Sequence, residues 1–344
     1  MLEPPNLSTA TILASVQTRY GLPVTDAAFL PIGNDASAWA YHLHTADRAS
    51  YFLKIRRGFS NEAALAVPRY LVDHGLPHLV APLPSQSGAL WTSLAEYALI
   101  LYPFIAGRTG MQAGLADPHW TDFGATLKQL HTASLPHNLA AIVRRETFQP
   151  AWGMRVMELD THFGQRSFAD PDQNALADFW QARRTEIISI ADRATTLGAR
   201  LRAADPPLVL CHADAHTANL LIDSAHRLWI VDWDEILFAP KERDLAFVVG
   251  AADADNQTRS REQELFFKGY GECAVNRLAL TYYGYEWAVQ EIGDDGSRVF
   301  FDPEAGAITK SESVRDFLRL FEPGQDVAQA YQSDTGQPPA GKLP

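Results

Sequence analysis

The sequence predicts an α+β protein in two lobes, a small, mostly β N-terminal lobe and a larger, mostly helical C-terminal lobe. Three observations carry this. Apolar and polar residues alternate through Ala28–Leu43 and Ser50–Arg56, and the apolar run Tyr97–Tyr102 follows. Helical spacing governs most of what comes after, most plainly where Leu176, Trp180, Arg183, Ile187, Ile190, Ala194, Leu197 and Leu201 recur along one stripe. The chain of 344 residues, 47% of them apolar, has room for two packed lobes at roughly 100–200 residues per domain.

Ser8 caps a first helix with Ile12, Leu13 and Val16 on one face, and Gly21 closes it. The segment Pro31-Ile-Gly-Asn-Asp-Ala-Ser37 lies between two strands. Its small and polar residues suit a loop that bends over phosphates around Gly33, or an ordinary hairpin. On the next strand Lys54 stands between Leu53 and Ile55, and a lysine there either snorkels to solvent or serves a ligand. Ser60 caps a helix carrying Glu62, Leu65 and Leu71, and Pro68 should kink or split it. Glu62 is a candidate ion-pair partner for Lys54, or a solvated glutamate favoured by the helix dipole.

Asp117-Pro118 starts a helix that buries Trp120, Phe123, Leu127 and Leu130. His131 at its end reads as a packing or capping group. Trp152, Met154 and Met157 are candidate core residues. Pro240-Lys-Glu-Arg-Asp244 opens another helix, where Asp244 is placed to cap it and tie it to the polar loop before it. Glu264–Tyr270, Leu278–Gln290 and Val314–Phe321 are helical. Glu286 faces either a cationic ligand or water. Beyond Pro323 the chain turns polar and rich in proline and glycine. Its near P-loop, Gly336 to Leu343, lacks the Ser/Thr after Lys342 and follows no strand, so it is set aside.

The chemistry concentrates in Leu208–Glu235. A strand, Leu208–Cys211, runs into a loop holding His212, Asp214, His216 and Asn219. A second strand, Leu220–Ile222, a turn and a third strand, Leu228–Val231, lead to Asp232. The hairpin brings Asn219 beside Asp232, and an amide oxygen with a carboxylate suits Mg²⁺. Asp214 is then free to take a hydroxyl proton, the division of labour of kinases. The alternatives are a transition-metal hydrolase site of His212, Asp214 and His216, or a polar turn without chemistry.

His212-x-Asp214-x-His216-x-x-Asn219 followed by Val231-Asp232-Trp233-Asp234 resembles the signature of the aminoglycoside phosphotransferases. Phe238-Ala-Pro-Lys-Glu-Arg-Asp-Leu-Ala-Phe247 resembles the spectinomycin phosphotransferase branch, and the likeness runs from about Thr9 to Pro323. The resemblance implies a protein-kinase-like fold with a nucleotide-binding lobe at 1–102, a hinge at 103–107 and a catalytic and substrate lobe at 108–325. A helical insertion at about 135–205 and a flexible tail at 326–344 complete it. It implies ATP as co-substrate and Mg²⁺ as cofactor. Asp214 becomes the catalytic residue, Asn219 and Asp232 the metal ligands. Lys54, Glu62, Gly33, Tyr102 and Phe104 fall to ATP, the last two through the hinge backbone. Asp234, Glu235 and Glu286 are candidates for the ammonium groups of an aminoglycoside or aminocyclitol antibiotic, to which the enzyme would confer resistance. A metabolite kinase of the choline, homoserine or thioribose type shares the same machinery. A non-catalytic nucleotide-binding module is the other alternative, against which the retained Lys54, Asp214, Asn219 and Asp232 speak.

The net charge of −12 argues against nucleic acid and anionic membranes as partners and suits a cationic small molecule. Two cysteines, Cys211 and Cys273, make no disulfide framework. No Cys/His pattern has zinc spacing, and no internal repeat is visible. The N-terminus lacks the basic and apolar regions of a secretory signal, and the longest apolar run, Ala98–Ala106, is too short to span a bilayer. The expectation is a cytoplasmic monomer or weak dimer.

Overall fold

A first helix, α1 (Thr9–Tyr20), begins where the Ser8 hydroxyl accepts the Thr11 N–H and ends where Gly21 takes φ +68°, as its capping residues require. The structure is a computed structural model that describes residues 2–33, 35, 37–59, 61–164, 168–249 and 256–334. The cap proposed at Ser60 and the near P-loop at 336–343 lie outside them. After α1 come β1 (Val24–Leu30), β2 (Ala38–Thr45), β3 (Ser50–Arg57), α2 (Ala63–Asp73), β4 (Thr92–Leu94), β5 (Tyr97–Pro103), β6 (Gly107–Thr109) and the short α3 (Gly110–Ala113). Next are α4 (Asp117–Thr132), α5 (His137–Ala140), β7 (Arg144–Arg145), α6 (Ala151–Phe163), α7 (Pro171–Ala204) and β8 (Val209–Cys211). The chain continues through β9 (Leu220–Asp223), β10 (Leu228–Ile230), β11 (Leu237–Ala239), α8 (Glu242–Val249), α9 (Asn256–Tyr270), α10 (Arg277–Phe300), α11 (Ala307–Arg319) and α12 (Asp326–Asp334).

These elements form two compact units, and the cut is not a single one at the hinge. The first unit joins Met1–Leu115, Ser134–Val143 and Asp214–Ile236, and the second joins Ala116–Ala133, Arg144–Ala213 and Leu237–Pro344. Backbone pairing explains the grouping. In the first unit β9 and β10 make the expected hairpin, with Leu220 opposite Ile230, and β6 adds to its edge with Arg108 opposite Ile222. Gly107 allows that approach, because a Cβ there would lie 2.2 Å from the Ile222 carbonyl oxygen.

The main sheet of the first unit is antiparallel, in the order β1-β2-β3-β5-β4. Strand alternation puts Leu53 and Ile55 into a core with Ile12 and Val16 of α1 and Leu99 and Leu101 of β5. Lys54 and Arg56 therefore share the opposite face of β3. Helix α2 is not split at Pro68. Proline forfeits one helical hydrogen bond, but Ala63, Ala64, Leu65, Val67 and Leu71 are buried around it, and their burial carries the helix through.

The second unit is mainly helical. Its core is the stripe of α7 from Leu176 to Leu201, packed with Tyr282, Tyr283, Val289 and Ile292 of α10 and Phe317 of α11. Arg183, in register with that stripe, lies instead over the rings of Phe179 and Phe321. Helices α4 and α9 touch through glycines: a Cβ on Gly124 would lie 2.1 Å from the Phe266 carbonyl oxygen. A small sheet sets β11 antiparallel to β8 and parallel to β7. Two expectations fail in this unit. Met154 and Met157 are 80% and 47% exposed, because α6 turns Val156, Leu159 and Phe163 inward instead. The stretch expected to be tail is ordered over its described part: Asp326–Asp334 is helix α12, with Val327 and Ala330 buried and Asp334 bonded to Arg193. Among the described residues, no helix is long and apolar enough to cross a membrane.

Candidate active site

Asp214, Asn219, Asp232 and Lys54 all belong to the first unit. The Asn219 amide nitrogen donates to the Asp214 backbone carbonyl at 2.9 Å and to Asp214 Oδ2 at 2.8 Å. With its nitrogen so committed, the amide turns its oxygen away as an acceptor. The Val231 N–H donates to the Asn219 carbonyl at 3.0 Å, which sets Asp232 next to Asn219 as the hairpin predicts. Asp232 adopts φ +61°, a left-handed conformation that few non-glycine residues occupy outside turns and functional sites. Its side chain is 45% exposed. A hard amide oxygen beside a partly open carboxylate is a donor set that fits Mg²⁺.

His216 is the residue that motif reasoning left without a part in phosphoryl transfer. Its Nδ1 accepts the Ala218 N–H at 3.2 Å, so in the neutral ring the proton sits on Nε2. That nitrogen lies 3.3 Å from Asp214 Oδ1. Asp214 Oδ2 thus takes the Asn219 amide, while Oδ1 lies buried beside His216. The signal was visible in the sequence as the His at two residues beyond Asp214, but metal ligation competed for it.

Lys54 does not pair with Glu62. Glu62 stands exposed just before α2, where solvent and the helix dipole suffice for it. Lys54 Nζ instead reaches Asp232 at 3.0 Å and Asp234 at 2.7 Å. Loss of water around Lys54 would favour its neutral form, but the two carboxylates outweigh that and raise its pKa. Asp234 also binds Arg56, and its backbone carbonyl accepts from Asn61 at 2.7 Å. Burial pushes the Asp234 carboxyl up, yet Lys54 and Arg56 overcome this and hold it below the usual range. Two cations therefore already claim Asp234, which corrects its assignment to a substrate ammonium. Arg56 and Asn61 were missed, although Arg56, two residues from Lys54 on one strand, was bound to share its face.

Arg56 further meets Asp35 at 3.1 Å. Asp35 accepts the Ser37 N–H at 2.8 Å and follows Gly33, whose φ is +85°. The Asn34 and Ala36 positions of this loop lie outside the described residues. Tyr102 continues β5 opposite Phe52, and the Phe104 ring stacks on His42 with centroids 3.6 Å apart. Glu235 is half-buried.

In the second unit, Asp244 is the anchor of the segment that leads into Asp214, as its place in the sequence suggested. Fully buried, it accepts the His212 N–H at 3.0 Å, the Ala213 N–H at 2.6 Å and His131 Nε2–H at 2.9 Å. Burial raises its carboxyl, but these donors and the nearby imidazoles win and lower it. The Arg243 Nε–H donates to the Ala213 carbonyl at 3.0 Å. The Ala213 peptide is held from both sides at φ +72°. Arg243 is buried and takes Glu286 as its ion-pair partner, so Glu286 does not serve a ligand ammonium; a buried guanidinium requires such a carboxylate.

The hydrolase triad is not what gathers. Among the described residues, the three side chains within ligating reach of one another are His131, Cys211 and Asp244. Their atoms are spent: Asp244 as above, and the Cys211 thiol on the Ala239 and Pro240 carbonyls at 3.6 Å. Burial pushes the Cys211 thiol well up, against the thiolate a metal needs.

Comparison with known proteins shows the fold and the family. Spectinomycin phosphotransferase APH(9)-Ia, solved in complex with ADP and spectinomycin, matches with a TM-score of 0.83 and 28% identity over 96% of this chain and 99% of that one. Protein StrN of Streptomyces griseus is 24% identical over 292 residues, 81% of either chain. Amicoumacin kinase hAmiN, at 16% identity and a TM-score of 0.61 over 97% of this chain and 95% of its own, shares the fold. The fold is kinase-like, with a β-sheet N-terminal region and a helical C-terminal region. A model of the phosphotransferase enzyme family matches residues 28–282, most of the chain, and the chain belongs to that family.

Proposed function

We propose that this phosphotransferase moves the γ-phosphoryl group of ATP to a hydroxyl of an aminocyclitol of the spectinomycin kind, and so confers resistance to it. The observation that carries the reading is the Asn219 amide bonded to Asp214, with His216 beside it, in a chain whose fold and sequence follow a spectinomycin phosphotransferase along nearly its whole length. Asp214 orients the acceptor hydroxyl and takes its proton. Lys54 holds the α- and β-phosphates, under the loop that contains Gly33, with the backbone of Tyr102 and Phe104 toward adenine. Asn219 and Asp232 would hold Mg²⁺, which would supply neutralisation of phosphate charge. Glu235 stays a candidate contact for a ligand ammonium. Most of the acceleration comes from positioning and charge neutralisation. ADP release from Mg-ATP that depends on the acceptor alcohol, measured across spectinomycin, other aminoglycosides, choline, homoserine and a thioribose, tests this. Turnover confined to spectinomycin supports it; turnover confined to a metabolite alcohol removes the antibiotic assignment.

A further inference from the structure

We propose that Asp234 is the positioning carboxylate of Lys54, doing from the segment after β10 what a glutamate on α2 would otherwise do. The proposal rests on the kinase reading above and deepens it. Lys54 has three ammonium donors, and two go to Asp232 and Asp234. Asp232 is the partly open carboxylate assigned to the metal, so Asp234, at the shorter distance and 18% exposed, is the partner that stays with the lysine. Asp234 is itself immobilised. Arg56 holds its carboxylate and Asn61 holds its backbone carbonyl. Arg56 lies two residues from Lys54 on β3, so one strand supplies both cations and one carboxylate spaces them. The third ammonium donor is left for a phosphate oxygen. Helix α2, by contrast, offers Glu62 at its N-cap, which is exposed, and Asp73 at its far end, which pairs with Arg69. The stretch Asp232–Asp234 therefore serves both the metal and the lysine through alternate residues.

Calorimetric titration of the wild type, Asp234→Asn, Asp234→Glu, Arg56→Gln and Glu62→Gln with Mg-ATP, and separately with adenosine, tests this. Asp234→Asn should weaken Mg-ATP about 10- to 100-fold, the size of one lost hydrogen bond to a charged group, with adenosine binding unchanged. Asp234→Glu should recover part of the loss, and Glu62→Gln should bind like the wild type. Should Asp234→Asn fail to fold, Arg56→Gln loosens the same carboxylate and should show a smaller loss with the same dependence on phosphate. Unchanged or tighter Mg-ATP binding by Asp234→Asn would overturn the proposal, since Asp234 would then be idle or competing with phosphate. A loss in Glu62→Gln equal to that expected for Asp234→Asn would overturn it as well. A wild type that binds no Mg-ATP defeats the kinase reading itself, a result distinct from both.

Discussion

Asp214 is fixed by the Asn219 amide, which donates to its backbone carbonyl at 2.9 Å and to Oδ2 at 2.8 Å, and His216 Nε2 lies 3.3 Å from Oδ1. A carboxylate held this way loses its proton-accepting role when it becomes an amide, while the surrounding bonds change little. Asp214→Asn should lower kcat by roughly 10²- to 10⁴-fold, the range of general-base contributions, and leave Mg-ATP affinity near that of the wild type. Steady-state kinetics alongside an ATP titration checks both halves. This residue was legible because its type and spacing carry the chemistry. The partner of Lys54 was not. Strand alternation fixes which face a lysine leaves by, but which carboxylate meets it depends on how distant segments arrive. Asp234, 180 residues away, arrives better placed than Glu62, which is near in sequence and faces solvent.

At the scale of elements, capping and periodicity were reliable guides and helix phase was not. Ser8 and Gly21 end α1 as their types demand, and the stripe on α7 is buried as spaced. On α6 the inward residues are Val156, Leu159 and Phe163. The methionines there are as apolar as these, so hydrophobicity alone did not reveal which side faced the core. The close contact of α4 and α9 was equally hidden, although Gly124 inside a helix was a hint, given its cost of about 1 kcal/mol against alanine. Gly124→Ala must push the Phe266 carbonyl, which is backbone, and should destabilise the fold by about 1–3 kcal/mol. A denaturant midpoint shift without a change in slope would report it. Asp244 joins α8 to the strand β8 side of the catalytic loop. Asp244→Ala strands His131 and two backbone N–H groups without their acceptor, and should cost about 3–5 kcal/mol in the same measurement.

Over the whole molecule, opposed carboxyl shifts shape the response to pH. Asp295, 3% exposed on α10, is raised to about 8 by burial and by Asp294, Asp316 and Asp326, with Arg298 opposing. Above pH about 4 the folded chain keeps a proton there that the unfolded chain has lost, so stability falls as pH rises from about 4 toward about 8. Asp244 is lowered, and its contribution is lost as pH falls through its folded value. Asp295→Asn should therefore flatten the fall of Tm between pH about 4 and about 8 and leave the curve below pH about 4 alone. The first unit has another property in time. Its sheet face carries Lys54 and Arg56, whose carboxylate partner Asp234 is made 180 residues after the lysine. At roughly 5–20 residues per second, a ribosome takes about 10–40 s to supply it. During that interval the emerging sheet has Lys54 without its carboxylate partners, Arg56 with Asp35 alone, and β6 without the β9 it pairs with. The nascent chain is thus most exposed to proteases and to aggregation before the hairpin of β9 and β10 emerges, and the same late hairpin both completes the unit and leads into Asp232 and Asp234.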